Sequence, residues 1–164
     1  MREPFKAMWQ QGLSLTAIDT TTNELAGCLL ACDYTRQSQT TRPIPKPLKP
    51  VNALLQNIEK TYKQERSFAT GEYLLVDMAV VKPDYEGHGI YRNLREYAHA
   101  IGVDAGFNWV IGELSSAATQ HLCLEHFGHT IKVEIDYASF DYKGTKPFVC
   151  IEEPSSIILV EGAL

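Results

Sequence analysis

The chain is poor in the features that mark several large classes of protein. Basic residues do not predominate: 15 lysines and arginines stand against 20 aspartates and glutamates, a formal net charge of −5, and no basic run stands out. A phosphate-backbone partner calls for such a run, so a nucleic-acid binder is not expected. No apolar stretch is long enough to span a bilayer, and no signal peptide is recognisable, so no membrane partner is expected either. Cysteine is scarce. Cys28, Cys32, Cys123 and Cys150 form no CxxC pair with a distant CxxC or HxxxH. That spacing argues against zinc or any other metal, and the number is too small for a disulfide framework in a chain of this length. A reducing, cytoplasmic setting is the expectation. Internal repeats and low-complexity tails are also lacking.

What is present is enough for a core. Hydrophobic residues make up 45% of 164 positions, which predicts one domain spanning residues 1–164. Leu13 to Asp19 alternates and reads as a strand, Thr20 to Glu24 is a polar turn, and Leu25 to Asp33 is a second, more buried strand. The two form a hairpin. Arg36 to Pro50 holds four prolines and reads as an exposed loop. Val51, Leu54, Leu55, Ile58 and Tyr62 fall on one helical face, and that helix is expected to end near Arg66. Tyr73 to Val81 is the long central strand. Ile90 to Ala105 is a helix closed by Gly106, and Phe107 to Gly112 a short buried strand. Ala117 to Phe127 is a further helix closed by Gly128. Thr130 to Tyr137 is a strand, with more strand at Phe148 to Glu152 and Ile157 to Val160. The hairpin implies antiparallel pairing, and the strand–helix–strand units imply parallel pairing. The fold class is therefore α/β (α+β), a mixed central sheet with helices on both faces.

One run carries most of the functional information. The apolar strand ending Val76-Asp77-Met78-Ala79-Val80-Val81 passes through Lys82-Pro83-Asp84-Tyr85-Glu86 into Gly87-His88-Gly89, and a helix opens at Ile90. Such a turn presents backbone N–H groups and a helix N-terminus, a natural cradle for phosphate. A Walker A loop would end Gly-Lys-Ser/Thr, which is absent. A dinucleotide fingerprint would place a third glycine where Arg92 stands, although Glu113 at the tip of the next strand would suit a ribose.

A third pattern fits better. Val81-Lys82-Pro83-Asp84-Tyr85-Glu86-Gly87-His88-Gly89-Ile90 resembles the acyl-CoA-binding signature of the GNAT superfamily of N-acyltransferases: strand, Val-x-Pro-x-Tyr, Arg-Gly-x-Gly-Ile, helix. Downstream, Glu113-Leu114-Ser115-Ser116 and a helix ending His126-Phe127-Gly128-His129 are similar to that family's last strand–helix unit. Ile135-Asp136-Tyr137, Phe140-Asp141-Tyr142 and Gly144-Thr145-Lys146-Pro147-Phe148 resemble segments of its arylalkylamine N-acetyltransferase branch. The resemblance covers Leu13 to Val149.

The resemblance implies a GNAT fold and transfer of an acetyl group from acetyl-CoA to a small-molecule amine by direct attack. Backbone groups of Ala79, Val80 and Val81 would align the pantetheine like an added strand. Gly87, His88, Gly89, Ile90, Tyr91 and Arg92 would hold the pyrophosphate. The amine must be neutral to attack, so a base is needed. Glu113 is the first carboxylate for that role and Asp77, in mid-strand, the second. Ser115 and Ser116 are hydroxyl candidates for the acid, because Leu124 stands where the family usually has tyrosine.

Glu86 and Tyr91 also depart from the pattern, which favours Arg or Gln and then Gly or Ala. The family normally opens with a strand and two helices, whereas about a dozen residues precede Leu13. These departures keep an alternative open: a non-catalytic acyl-CoA-binding domain, or a partial GNAT domain completed by a partner chain. An exposed first-strand edge predicts a homodimer.

Overall fold

A computed structural model of the chain describes residues 3–37, 44–64 and 66–164. The chain divides into two compact units. The first comprises Met1–Thr40, Phe68–Gly112 and Ala163–Leu164; the second comprises Thr41–Ser67 and Glu113–Gly162.

The first unit holds helix α1 (Glu3–Trp9), strands β1 (Leu15–Asp19) and β2 (Glu24–Asp33), strand β3 (Tyr73–Val81), helix α3 (Ile90–Asp104) and most of strand β4 (Trp109–Leu114). β1 pairs antiparallel with β2, and β2 antiparallel with β3, while β3 runs parallel to β4. This is a mixed sheet, as the hairpin and crossover predict. Leu29, Ala31, Leu74, Val76 and Val110 form its buried face with Leu94 and Ala98 of α3. The loss of this much apolar surface to water is the main stabilising term.

The end of α3 follows its sequence signal closely. Gly106 takes φ +86°. Its N–H donates to Val103 O (3.0 Å) and the Phe107 N–H donates to Gly102 O (3.0 Å), the paired bonds of a Schellman stop. At the other end, Gly27 lets the helix sit close. A Cβ there would come within 3.0 Å of Val80 O and 3.2 Å of Ile90 Cγ2.

The second unit holds α2 (Lys49–Lys63), α4 (Ala117–His121), β5 (Thr130–Asp136) and most of β6 (Ser156–Ala163), with β5 and β6 antiparallel. α2 buries Leu54, Ile58 and Tyr62, the face its periodicity predicts, and starts with Pro50 in its first turn. Leu114, Cys123, Ile158 and Val160 form the core beside α4, with Leu124 and Phe127 against them.

Several expectations are corrected. Helix α1 had no sequence signal. Part of the loop expected at Arg36 to Pro50, residues 38–43, lies outside the described residues; its flanks are short 3-10 turns at Tyr34–Arg36 and Lys46–Leu48. The helix expected to end near Arg66 stops at Lys63. The helix expected over Ala117 to Phe127 changes after His121 into a π-helical turn, Leu122–His126, in which the Phe127 N–H donates to Leu122 O (3.2 Å). Phe148 to Glu152 is not a strand. Its backbone is taken by local turns, the Ile151 N–H donating to Phe148 O (3.0 Å), and Val149 and Ile151 are exposed.

Candidate functional site

β3 carries the local anomaly that builds the site. Leu30 and Ala31 are consecutive on β2, yet they face Met78 and Val76 on β3. Asp77 is therefore an extra residue, a β-bulge. The bulge reverses the strand's phase. Leu74 and Val76 face the core, and simple alternation would send Met78 and Val80 there too. Instead Ala79 packs on the core, and Met78 and Val80 are exposed at 46% and 54%.

The bulge coincides with a parting of strands. The β3–β4 register ends at Val76 opposite Gly112. From Asp77 to Val81, β3 keeps its ladder to β2 but has no β4 register beside it among the described residues. A strand edge of that kind offers backbone N–H and C=O groups to an extended ligand.

The strand then enters the glycine loop. Lys82 donates its N–H to Ala26 O (2.8 Å), a 3-10 turn spans Pro83–Tyr85, and the Glu86 N–H donates to Pro83 O (3.1 Å). Gly87 and Gly89 both adopt left-handed backbone, φ +75° and +72°, and nothing crowds either position. Conformation rather than space therefore calls for glycine there. Gly89 is the N-cap of α3, and its O accepts the Asn93 N–H (3.0 Å). Being glycine, it brings no side-chain acceptor to the first turn, and no acidic residue stands in that turn. The positive end of the helix therefore meets no capping or acidic side chain from its own first turn.

Side chains around the loop are largely committed to each other. His88 Nδ1 donates to the Glu86 carbonyl (2.8 Å), folding the ring back onto its own loop. Arg92 Nε donates to Glu96 Oε1 (2.9 Å), and Lys82 Nζ to Glu24 Oε2 (2.6 Å). Both pairs are exposed, and that of Arg92 with Glu96 of its own helix is of small net worth, so the guanidinium is released at little cost. Glu86 is exposed.

Asp77 differs from these. Its Oδ1 accepts the Gln37 side-chain amide (3.1 Å). Desolvation raises the carboxyl above its ordinary pKa, against the lowering effect of that amide. Asp77 is nevertheless exposed, so its carboxyl reaches solvent. Nearby Cys32 is fully buried, and burial together with the Asp77 and Asp33 charges pushes its thiol up to about 12. That excludes it as a thiolate nucleophile.

The remaining candidates lie in the second unit. Glu113 is half-buried on β4, and Ser115 is exposed in the turn after it. Ser116 is the N-cap of α4: its Oγ accepts the Thr119 N–H (3.2 Å) and lies 2.9 Å from the Thr119 hydroxyl. Capping thus takes up the Ser116 side chain. Leu124 and Cys123 pack in the core beside α4. Sequence reading missed Gln37, and no motif marks it.

No protein-family model matches the chain, and no curated protein matches it by sequence. Solved structures do match. The C-terminal condensation domain of Ebony, in complex with beta-alanyl-dopamine, is 15% identical with a TM-score of 0.84, over 99% of this chain and 77% of that one. Arylalkylamine N-acetyltransferase 2 from Aedes aegypti is 18% identical with a TM-score of 0.78, over 98% and 77%. The NatC complex bound to Gag peptide and CoA is 16% identical with a TM-score of 0.56, over 97% and 76%. The chain has the GNAT acyltransferase fold, with a mixed sheet in an α/β arrangement.

Proposed function

We propose that this protein is an N-acyltransferase that moves a short acyl group from an acyl-CoA thioester, acetyl-CoA first among them, to a small amine. The observation that carries the reading is the coincidence, in one strand–loop–helix segment, of an edge without β4 register from Asp77 to Val81 and a two-glycine loop capping α3. The edge suits the amide groups of pantetheine, with Ala79, Val80 and Val81 as the backbone partners. The loop from Gly87 to Arg92 suits a pyrophosphate. Arg92 would trade Glu96 for phosphate.

When bound, an acyl-CoA supplies its acyl group as a thioester, which a neutral amine attacks with release of the thiol. Asp77 takes the proton of the incoming ammonium. Its raised pKa brings it nearer neutrality, where a base works best. Glu113 is the second base candidate, and Ser115 the hydroxyl to test first for protonating the thiolate, ahead of Ser116, which caps α4. The acceptor is an arylalkylamine: the Aedes aegypti neighbour is named for that class, and the Ebony domain was solved with a dopamine amide. The second of these makes a β-alanyl donor worth testing beside acetyl.

Leu124 favours a second reading. It is a partly buried leucine, packed against the core, where the superfamily usually has a tyrosine acid, as a domain that binds acyl-CoA without turning it over would allow. One experiment separates the two. Calorimetry with acetyl-CoA, CoA and NAD comes first, then thiol release against a panel of arylalkylamines and polyamines. Binding with turnover supports the enzyme, binding without turnover the second reading, and binding of neither CoA species overturns both.

A further inference from the structure

We propose that the β1–β2 hairpin turn is a positioning device for donor binding, with Asp19 acting through Tyr85 and Glu24 acting through Lys82 to hold the approach to the glycine loop. The proposal rests on the reading of that loop as the donor's phosphate cradle. It assigns to Asp19, Glu24, Lys82 and Tyr85 a role in affinity that requires no contact with the donor.

Three tethers join residues 19–26 to residues 82–85. The Tyr85 hydroxyl donates to Asp19 Oδ2 (2.9 Å) and lies 3.4 Å from the Thr22 hydroxyl. Lys82 Nζ donates to Glu24 Oε2 (2.6 Å), and the same ammonium stands 5.5 Å from the centre of the Tyr85 ring. The Lys82 N–H donates to Ala26 O (2.8 Å). Asp19 is itself fixed before it meets Tyr85, since its Oδ1 accepts the Thr21 (2.8 Å) and Thr22 (3.4 Å) N–H groups. These bonds hold its carboxyl below its ordinary pKa, the Thr21 N–H first and the Tyr85 hydroxyl next. The carboxylate is therefore a charged acceptor throughout the neutral range, and hydrogen bonds to charged groups are the stronger kind.

The loop needs such support because it has little of its own. Gly87 and Gly89 carry no side chain, nothing lies within 4 Å of where a Cβ would be, and the His88 ring reaches back to a carbonyl of the same loop. Two glycines lose more conformational freedom on ordering than any other residues would. If the approach is held, that cost is met during folding. If it is loose, the donor meets the cost on binding and affinity falls.

The test is calorimetric titration of CoA into wild type, Tyr85→Phe, Lys82→Met, Asp19→Ala and the double variant Tyr85→Phe/Asp19→Ala. Amide hydrogen exchange is followed at residues 86–89 without ligand. Tyr85→Phe is expected to raise the Kd for CoA about 3- to 10-fold, the size of one ordinary hydrogen bond's net effect. Exchange at the loop should quicken, and kcat at saturating donor should stay unchanged. Once Asp19 is alanine, adding Tyr85→Phe should do nothing more. Lys82→Met should act in the same direction and keeps the test alive if a Tyr85 variant fails to fold. A lowered melting temperature with CoA affinity and loop exchange as in wild type would reduce these residues to ordinary stabilisers and overturn the proposal. Fully additive effects of Tyr85→Phe and Asp19→Ala would also overturn it. Failure of wild type to bind CoA would instead sink the reading of the loop.

Discussion

Two strand carboxylates, one in each unit, stand in opposite electrostatic situations. Glu161 on β6 is nearly buried and closely held. Its Oε2 accepts the Tyr62 hydroxyl (2.5 Å) and Arg66 Nη1 (2.5 Å), and Lys132 Nζ lies 3.2 Å from its Oε1. Burial pushes its pKa up, but Tyr62, Lys132 and Arg66 together more than offset this and bring it below the ordinary carboxylate value. Asp77 on β3 has a neutral amide as its hydrogen-bond donor, and desolvation leaves its pKa raised. Glu161 is held by two cations and a hydroxyl, whereas Asp77 meets a neutral amide. The two carboxylates differ both in the charge of their partners and in exposure, since Glu161 is buried and Asp77 is exposed. It also carries signs for stability. Glu161 stabilises the fold above the unfolded carboxylate pKa, and that contribution is lost as pH falls through its depressed folded value. Asp77 does the reverse, costing stability once pH rises through its raised folded value.

Breaking the contrast at Asp77 should have the largest effect. Asp77→Asn is expected to lower kcat in the thiol-release assay by about 10²- to 10⁴-fold, the usual contribution of a general base. Its melting temperature should be nearly unchanged, since the side chain is exposed. Retained turnover would move the base elsewhere, with Glu113→Gln next in line. The matching change at Glu161 should do the opposite. Glu161→Gln is expected to cost about 2–4 kcal/mol in urea unfolding, because Arg66 and Lys132 lose their shared counter-charge. CoA affinity should stay at the wild-type level.

A smaller effect is expected at the loop. Gly89→Ala forces a left-handed alanine, costing about 1–2 kcal/mol, which should appear as lower stability and roughly tenfold weaker CoA binding. The smallest is a pH effect. Wild-type stability should decline as pH drops below about 4, near the unfolded glutamate pKa, and Glu161→Gln should flatten that decline. An unchanged slope in the variant would mean that other carboxylates dominate the acid limb.

The contrast also marks where sequence reading stops. β3, α3 and the Gly106 stop were legible because each is local: an apolar run, a 3.6-residue period, a glycine at C′. The glycine loop was legible because Gly-x-Gly between a strand and a helix marks a turn in left-handed backbone, which both glycines adopt. The bulge at Asp77 was not, since it exists in the register between β2 and β3 and leaves no mark in either strand alone. The π-helical turn at Leu122–His126 was missed because its residues read as ordinary helix. Nor could the chain order bring together Tyr62, Arg66, Lys132 and Glu161. Ser116, offered as an acid, sits in front of a helix, where a serine is most often a cap; that signal was available and points away from chemistry.

The proposed function stands or falls with the loop from Gly87 to Arg92 as the seat of an acyl-CoA pyrophosphate. Titration of CoA into the wild-type protein by calorimetry tests it most directly. Saturable one-to-one binding that weakens in Gly89→Ala and is not mimicked by NAD is the expected result. Absence of binding heat for both CoA and acetyl-CoA, or equal affinity in Gly89→Ala, would contradict it.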